Sequence, residues 1–252
     1  MRLDTALINL DGSDARLAGA TALLNGLGLG FRRLAAFDGR GVAPADLPDH
    51  DAAETRRRFG RYLSGGEVGC YQSHLRAAER FLAGEARYGL VLEDDLGVTP
   101  DTAAALQAML DWLDRNPGLD WDLANLGAGV VRSFVPVDGY SGPGTLCHAF
   151  YFPVTTTAIL WSRKGAARFL AEGRPILMPV DHFFRKWASA SGRGLAFRKA
   201  IFPDRQEVSL INQDAARQKT KRPWTAWFHR QRQLLAYKAT ARHSMNRFQK
   251  QK

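Results

Sequence analysis

Three consecutive carboxylates, Glu93, Asp94 and Asp95, come directly after the apolar run at residues 88–92. The apolar run is typical of a buried strand, because apolar side chains on both faces stay out of water. Adjacent acids repel one another, so we expect a divalent cation or a buried base to stabilise them. Two carboxylates that meet at the carboxyl end of a strand can hold a divalent metal, and open α/β sheets bind their ligands at that edge.

The alternation of side chains along a strand predicts which acids face the same way. If the strand continues past Leu92, Glu93 and Asp95 point to one side of the sheet and Asp94 points to the other. The simpler alternative is a solvated turn or a helix N-cap, because Thr-Pro-Asp at residues 99–101 is typical of a helix start. This stretch alone does not distinguish the two interpretations.

The segments around this strand alternate between strand-like and helix-like patterns, which indicates an α/β domain. The opening strand, helix and strand (5–10, 15–27 and 31–37) predict a parallel pair joined by a right-handed crossover. Ser64, followed three residues later by Glu67, predicts a capping box at the start of a helix that ends near residue 83. Further helices are predicted at 101–113, at 163–171 and from 179, further strands at 121–126, 130–137, 146–152, 155–161 and 195–202, and a loop at 203–212.

Charge is unevenly distributed along the chain. The 252 residues carry a net charge of +10, but eleven of the 35 Lys and Arg residues, and no acidic residue, lie in residues 215–252. The remaining 24 basic and 25 acidic side chains leave residues 1–214 nearly neutral. We therefore predict one large domain at 1–214 and a basic tail at 215–252.

The composition of this tail is typical of a helix that binds an anionic membrane surface, because basic residues alternate with aromatic ones. Each Lys or Arg near an anionic leaflet contributes about 1 kcal/mol to such binding. The alternative is a solvated tail without fixed structure. The residues that we predict to lie on one apolar helical face are Trp224, Trp227, Phe228, Leu235, Met245 and Phe248.

Cysteine usage and hydropathy predict a cytoplasmic protein. Cys70 and Cys147 have apolar neighbours in the sequence and no metal-type spacing, so we interpret them as reduced packing residues. Residues 1–4 lead directly into a strand-like run, so we expect no signal peptide. No run of about 18 apolar residues predicts a transmembrane helix. With the basic tail, these features predict a peripheral location on the inner face of the inner membrane.

Residues 5–212 contain an ordered series of short motifs. The most specific motif is Gly-Glu-x-Gly-Cys-x-x-Ser-His at residues 66–74, followed by the acidic strand end. The other segments of the series are Ile8–Asp11 with Arg16, Phe37–Gly39, Leu90–Asp95, Trp161–Arg163 with Gly165–Ala167, and Pro179–Asp181.

In this order and spacing the series resembles glycosyltransferase family 25. This family includes bacterial lipooligosaccharide galactosyltransferases and, more distantly, collagen galactosyltransferases. Gly12 after Asp11 and His182 after Asp181 depart from the pattern and bear on the acceptor.

The resemblance implies a GT-A type fold, which is a Rossmann-like α/β/α sandwich with a mostly parallel central sheet. It implies transfer of a sugar, typically from UDP-galactose, with inversion at the anomeric carbon. The acceptor would be a hydroxyl of a glycan or glycolipid in lipopolysaccharide or lipooligosaccharide synthesis. It also implies that the three acids at residues 93–95 take the place of the Asp-x-Asp metal motif.

On this resemblance, the acids would hold a cation beside the donor diphosphate. A divalent cation there neutralises the charge that develops on the leaving oxygens. Carboxylate ligands suit Mn²⁺ or Mg²⁺. We assign the metal to Asp95 first, with Glu93 or Asp94 beside it.

Other polar residues are candidates for contacts with the donor. Arg16 is a candidate for the diphosphate, although a solvated arginine on a helix face is an equal alternative. Asp38 is a candidate for the ribose or uracil, and Asn9 or Asp11 for the same edge. His74 is a candidate for a further metal or phosphate contact, and its alternative is a satisfied core histidine.

Inverting transfer needs a base that takes the proton of the acceptor hydroxyl, and Asp181 is our candidate. It is a carboxylate near a helix start with Phe183 and Phe184 behind it. Without the resemblance, a simple N-cap aspartate would be preferred. His182 is a further candidate for a metal or phosphate contact.

Two rival functions follow from the same features. The basic, aromatic tail permits a nucleic-acid-binding protein, but the nearly neutral body and the lack of a reading motif make nucleic acid an unfavoured partner. A metal-dependent nucleotide-sugar hydrolase is the enzymatic rival, because the same metal site can activate water.

Overall fold

The computed structural model describes residues 1–59, 61–205 and 224–250. Within these residues the strands are β1 (Leu3–Asn9), β2 (Arg32–Ala35), β3 (Tyr88–Glu93), β4 (Leu123–Asn125), β5 (Phe134–Pro136), β6 (Leu146–Ala149), β7 (Ala158–Ser162) and β8 (Gly194–Phe197). The helices are α1 (Asp14–Gly26), α2 (Ala52–Phe59), α3 (Gly65–Ala83), α4 (Thr102–Arg115), α5 (Arg163–Glu172), α6 (Val180–Ser191) and α7 (Trp224–Gln249).

The eight strands form one mixed sheet in the order β2-β1-β3-β7-β4-β8-β6-β5. The parallel pair β1–β2 at its edge confirms the parallel pairing that was predicted for the opening β-α-β unit. β1–β3 and β4–β8 are also parallel, but the other four pairings are antiparallel. The prediction of a mostly parallel sheet is therefore wrong. The main cause of this error is β7, which lies between β3 and β4 and runs antiparallel to both. A residue pattern can indicate that a segment is a strand, but it does not indicate the direction of that strand in the sheet.

Apolar side chains from both faces of the sheet build two core clusters, so the domain has three layers. On β3, Leu90 and Leu92 join the cluster that includes α1 and α4. Val91, between them, joins the cluster that includes α3, α5 and α6. This confirms that β3 is a strand buried on both faces. It also gives the α/β/α layering that was predicted, although not the predicted strand directions.

The start of α3 is held by the capping box that the sequence predicts. The Ser64 side chain accepts a hydrogen bond from the backbone N–H of Glu67, and the Glu67 side chain accepts one from the backbone N–H of Ser64. Glu67 is buried and also pairs with Arg61, with N–O distances of 2.5 and 2.6 Å. These contacts fix the helix that carries the Gly-Glu-x-Gly-Cys motif.

The first residue of α3 lies against the loop after β2 at a distance that admits only glycine. A Cβ atom on Gly65 would lie 1.7 Å from the carbonyl oxygen of Gly39. A Cβ on Gly39 would lie 2.4 Å from the carbonyl oxygen of Gly65. The two backbones therefore cross in direct contact.

We expect Gly65→Ala to destabilise the protein by about 1–3 kcal/mol or more, because the added methyl group forces these two backbones apart. The measurement is the free energy of unfolding in urea. Gly26→Ala, in α1, is the matched control, since a Cβ there would meet no described atom within 4 Å. Equal stability of the two variants would contradict the proposed backbone contact.

Several predicted elements are shorter than the sequence patterns indicate. Only three residues of the run 130–137 form a strand (β5), and only residues 195–197 of the run 195–202 belong to one (β8). β7 begins at Ala158, because Thr155 is used in a loop, where its carbonyl oxygen accepts a hydrogen bond from Asn125 Nδ2 (2.8 Å). The predicted loop at 203–212 lies outside the described residues from 206 onward.

The C-terminal helix α7 packs on α6. Tyr237, Ala241 and Ser244 are buried, and Ser244 Oγ donates a hydrogen bond to the carbonyl oxygen of Ser189 (2.8 Å). Phe248 contacts His148, with the ring centroids 4.5 Å apart.

The predicted apolar face of the tail is therefore wrong in its described part, because Phe248 covers the body whereas Leu235 is exposed. The side chains of Trp224, Trp227 and Phe228, and the predicted boundary at residues 214 and 215, lie outside the described residues. Among the helices that are described, none has the length and apolar character needed to cross a membrane.

Candidate functional site

An open cleft lies where the carboxyl ends of β1 and β3 meet the start of α3. All three predicted acids, 93–95, line it, as do the predicted Arg16 and Asp38. Among the described residues that line the cleft, four other predicted site residues are not found: Asn9, Asp11, His74 and Asp181. The remaining lining residues are Ile8, Leu10, Ala36, Phe37, Arg40, Gly66, Cys70 and Ser73.

The acidic strand end does not alternate as predicted, because β3 stops at Glu93. Asp94 Oδ1 lies 2.6 Å from Arg16 Nη2, and Asp95 Oδ2 lies 3.2 Å from the same nitrogen. The carboxylates of Asp94 and Asp95 therefore both pair with the guanidinium of Arg16, whereas Glu93 makes different contacts. The Arg16 side chain is only 18% exposed, so the alternative of a solvated helix-face arginine is excluded.

Asn9 is a buried residue that holds Asp94 in place. Its Nδ2 donates to Asp94 Oδ2 over 2.7 Å and to the carbonyl oxygen of Ser13 over 3.2 Å. Its Oδ1 accepts from Arg33 Nε over 2.9 Å. Arg33 also pairs with the exposed Asp11, so Asp11 belongs to the surroundings of Asn9 rather than to the cleft wall.

The environment of the Asp95 carboxylate is suited to a cation ligand. Burial and the neighbouring carboxylates of Glu93, Asp204 and Asp94 raise the pKa of Asp95 to about 7, against the lowering effect of Arg16. Its Oδ1 is buried and has no hydrogen-bond partner in the described part of the chain. An orphaned carboxylate oxygen next to a second carboxylate fits a hard divalent cation such as Mn²⁺ or Mg²⁺.

Glu93 turns towards α3 and meets two residues of the motif at 66–74. Its Oε1 lies 3.1 Å from His74 Nε2 and 3.6 Å from Cys70 Sγ. Burial raises the pKa of Glu93, but hydrogen bonds from His74, Thr156 and Cys70 outweigh burial, so the pKa is lowered. Burial, together with the charge of Glu93, raises the pKa of the Cys70 thiol well above its usual value.

His74 has the buried environment of its alternative interpretation, whereas the surroundings of Cys70 are not purely apolar. His74 is fully buried and contacts Glu93 instead of the cleft, which agrees with a core histidine that orients a carboxylate. Cys70 lies beside Glu93 and lines the cleft, so the interpretation of Cys70 as a residue in apolar surroundings is wrong. Cys147 is buried, and its Sγ donates to the carbonyl oxygen of Ala196.

Asp38 lies on the opposite wall of the cleft and is held by its neighbour Arg40. Arg40 donates from Nε (2.8 Å) and Nη2 (2.7 Å) to the two carboxylate oxygens of Asp38. The pKa of Asp38 is lowered, chiefly by the hydrogen bond from Arg40. A ligand in the cleft can therefore meet a hydrogen-bond acceptor, the carboxylate of Asp38, and hydrogen-bond donors, the N–H groups of Arg40.

Asp181 lies in the first turn of α6 and is partly buried. Its Oδ1 accepts the backbone N–H of His182 over 2.7 Å, and its charge acts on both Cys70 and Arg185. Burial lowers the pKa of His182. Asp181 thus lies close enough to Cys70 for its charge to act on the thiol, although Asp181 does not line the cleft.

Sequence reasoning missed two residues at this edge, Asp204 and Arg205. The backbone N–H of Arg205 donates to the carbonyl oxygen of Asp95 (3.0 Å), and Asp204 bridges to Leu96. Arg205 Nη2 also reaches the carbonyl oxygen of Asp94 at 3.4 Å. No local pattern marks these residues, since they meet the acidic strand end only through the fold.

Comparison with known proteins identifies the segment that builds most of this cleft. Residues 3–124 match the family model described as glycosyltransferase family 25 (LPS biosynthesis protein). Over these residues, which are just under half of the chain, the chain is similar to glycosyltransferase family 25. This confirms the resemblance that the motifs indicated, and the family 25 segment contains β1, α1, α3 and the acidic end of β3.

Individual relatives match the same part of the chain. Procollagen galactosyltransferase 1-B of Xenopus laevis is 34% identical over 125 residues, which are 49% of this chain and 20% of that protein. Inactive glycosyltransferase 25 family member 3 of Homo sapiens is 29% identical over 126 residues, again 49% of this chain and 20% of the relative. The chain thus spans about a fifth of the length of these curated relatives.

Solved structures also resemble this chain. One is a glycosyltransferase involved in the glycosylation of the major capsid of PBCV-1. It has a TM-score of 0.44 and 11% identity, and the match covers 87% of this chain and 100% of that one.

Proposed function

We propose that this chain is a glycosyltransferase with a GT-A-like fold that transfers a sugar from a nucleotide-diphosphate donor to a hydroxyl of a glycan or glycolipid. The observation that carries the proposal is the convergence of Asp94, Asp95 and Arg16 in the cleft of the family 25 segment. The galactosyltransferase relatives make UDP-galactose the first donor to test. A relative that is named inactive makes a direct assay of transfer necessary.

In the proposed mechanism, Arg16 binds the donor diphosphate, since a guanidinium forms two parallel hydrogen bonds with phosphate oxygens. Asp94 and Asp95 would hold a divalent cation, which supplies charge neutralisation for the departing diphosphate. Asn9 fixes the orientation of Asp94 through the 2.7 Å hydrogen bond. Asp38 and Arg40 offer hydrogen bonds to the ribose or the base from the other wall of the cleft.

Asp181 is the proposed base for transfer with inversion. A base must lie on the side of the sugar opposite the leaving diphosphate, and a carboxylate accepts the proton of the acceptor hydroxyl as that oxygen attacks. Asp181 is on α6 and does not line the cleft that Asp94 and Asp95 line, which supports different roles for the two groups. Its backbone hydrogen bond at Oδ1 sets the orientation of the carboxylate, and the other oxygen takes the proton.

A panel of nucleotide sugars, added with Mn²⁺ to the full chain, tests the proposed donor site. A donor at 100 times its dissociation constant is expected to stabilise the protein by about 2.7 kcal/mol. Thermal unfolding measures this shift, and Arg16→Ala should abolish it. As a control, Arg115→Ala changes an arginine in the last turn of α4, outside the cleft lining. Absence of stabilisation by every nucleotide sugar would contradict the proposal, and release of free sugar without transfer would favour the hydrolase.

The proposed acceptor is a lipid-linked glycan of lipopolysaccharide or lipooligosaccharide type, reached from the cytoplasmic face of the inner membrane. The support is four exposed basic residues on α7, because cations near an anionic leaflet contribute about 1 kcal/mol each. Arg232, Lys238, Arg242 and Arg247 are exposed.

Sedimentation with anionic vesicles tests the membrane proposal. A variant with all four α7 residues changed to serine should bind at least about tenfold more weakly than the wild type. Arg56, Arg57 and Arg58, which are exposed on α2, provide a control variant of similar charge change. Equal binding by the wild type and the α7 variant would exclude this role of α7.

A further inference from the structure

Cys70, His74 and Glu93 form a cluster of side chains that has no role in the proposed donor site. Cys70 and His74 are one helical turn apart on α3, so both side chains lie on the same face, and Glu93 at the end of β3 meets them from the sheet. One sulfur, one nitrogen and one oxygen atom from these residues all lie within 4.8 Å of one another. The measured contacts are 3.6 Å for Sγ–Oε1 and 3.1 Å for Nε2–Oε1.

Both distances are close to those between ligands of a small tetrahedral cation: the Sγ–Oε1 distance lies within the expected range and the Nε2–Oε1 distance lies just below it. With bonds of about 2.3 Å to sulfur and about 2.0–2.2 Å to nitrogen and oxygen, neighbouring ligand atoms lie about 3.2–3.7 Å apart. We propose that Cys70, His74 and Glu93 form a binding site for a soft divalent cation of the Zn²⁺ class, distinct from the Asp94–Asp95 pair. The proposal does not depend on sugar transfer.

The charge of the cluster suits this occupant. Binding of a divalent cation displaces the thiol proton of Cys70 to solvent, because the thiolate is the ligand. The thiolate and the Glu93 carboxylate then balance the two positive charges of the cation, and His74 binds as the neutral imidazole. A neutral assembly is far easier to bury than a lone charge.

The ligand types select the metal. A thiolate and an imidazole favour Zn²⁺ and Co²⁺, whereas Mn²⁺ and Mg²⁺ favour sites made only of oxygen atoms. Asp94 and Asp95 supply oxygen atoms alone. Two neighbouring groups of possible metal ligands therefore meet at the end of β3. The group that includes Glu93 suits Zn²⁺, and the pair Asp94–Asp95 suits Mn²⁺ or Mg²⁺.

The site is open to the cleft on one side. Cys70 and Glu93 both line the cleft, and the Glu93 side chain is 22% exposed, whereas His74 is fully buried behind them. A cation can therefore reach the three ligands from solvent and keep a fourth position for water or for a ligand in the cleft. Three protein ligands with an open fourth position are typical of catalytic zinc sites, whereas structural zinc sites have four protein ligands.

Co²⁺ binding to the full chain tests the proposal, because a cobalt–thiolate bond gives a charge-transfer absorption band in the near ultraviolet. We expect this band in the wild type, release of about one proton for each Co²⁺ bound at pH 7, and loss of the band on addition of Zn²⁺. Mg²⁺ at the same concentration should leave the band unchanged.

Single variants locate the ligands. Cys70→Ser should lose the band and bind Zn²⁺ at least about a hundredfold more weakly, while Cys147→Ser, the matched control, keeps both. Cys70→Ala and Glu93→Gln are second variants if Cys70→Ser does not fold. Asp95→Asn should keep the band, which separates this site from the Asp94–Asp95 pair. Absence of the band in the folded wild type, or its persistence in Cys70→Ser, would overturn the proposal.

Discussion

Replacement of Asp95 by alanine is expected to lower sugar transfer by at least about a hundredfold. The change removes a proposed cation ligand, and charge neutralisation by a cation lowers a transfer barrier by several kcal/mol, with each 1.36 kcal/mol equal to a factor of ten. The measurement is transfer of radiolabelled sugar with Mn²⁺ present. A chelator should lower wild-type transfer similarly, and Mn²⁺ should restore it.

The raised pKa of Asp95 adds a pH dependence to this first prediction. With a pKa of about 7, Asp95 increasingly holds a proton below neutral pH, and that proton must leave before a cation binds. Stabilisation of the wild type by Mn²⁺ should therefore weaken between about pH 8 and pH 6. Asp101→Ala, which changes an exposed acid beside α4, is the control for both measurements. Full wild-type activity in excess chelator would contradict the metal role.

Asp181→Asn is expected to lower turnover by about 10²–10⁴-fold while donor binding persists. The amide keeps the shape of the side chain and an oxygen that accepts the His182 N–H, so α6 should remain folded. Loss of the negative oxygen removes only the ability to take the acceptor proton. Turnover is measured with saturating donor, and donor binding is measured by the thermal shift.

The control for this second prediction is Asp51→Asn. The Asp51 carboxylate accepts the backbone N–H of Glu54 at the start of α2, so the variant makes the same chemical change at another helix start. Simultaneous loss of donor stabilisation in Asp181→Asn would move Asp181 from the base role to the donor site. Unchanged turnover would remove Asp181 from the mechanism.

The sequence predicted those parts of the molecule that depend on neighbouring residues. The capping box at Ser64 and Glu67 and the apolar run of β3 were both confirmed. Local hydrogen bonds and burial determine such features, and both are visible within a few residues. Arg16 became a candidate through the resemblance to family 25, and the parallel pairing of β1 with β3 brings it to the edge where the three acids lie.

Features that depend on distant contacts could not be predicted in this way. The hydrogen bond from Asn9 to Asp94 joins residues 85 positions apart. The hydrogen bond from the Arg205 backbone N–H to the Asp95 carbonyl oxygen likewise joins two segments that are far apart in the sequence. The direction of β7 and the end of β3 at Glu93 also follow from the pairing of whole strands. The alternation expected for Glu93 and Asp95 failed for that reason.

The close crossing of Gly39 and Gly65 has a consequence for the thermodynamics of ligand binding. The segment that carries Asp38 is also held by a hydrogen bond from the backbone N–H of Phe37 to Ser73 Oγ (2.9 Å). Gly69 extends the contact, since a Cβ there would lie 2.4 Å from the carbonyl oxygen of Phe37. This wall of the cleft is therefore preorganised before a donor arrives. Little conformational entropy remains to be lost there on binding, so a larger share of each contact made with the wall contributes to affinity.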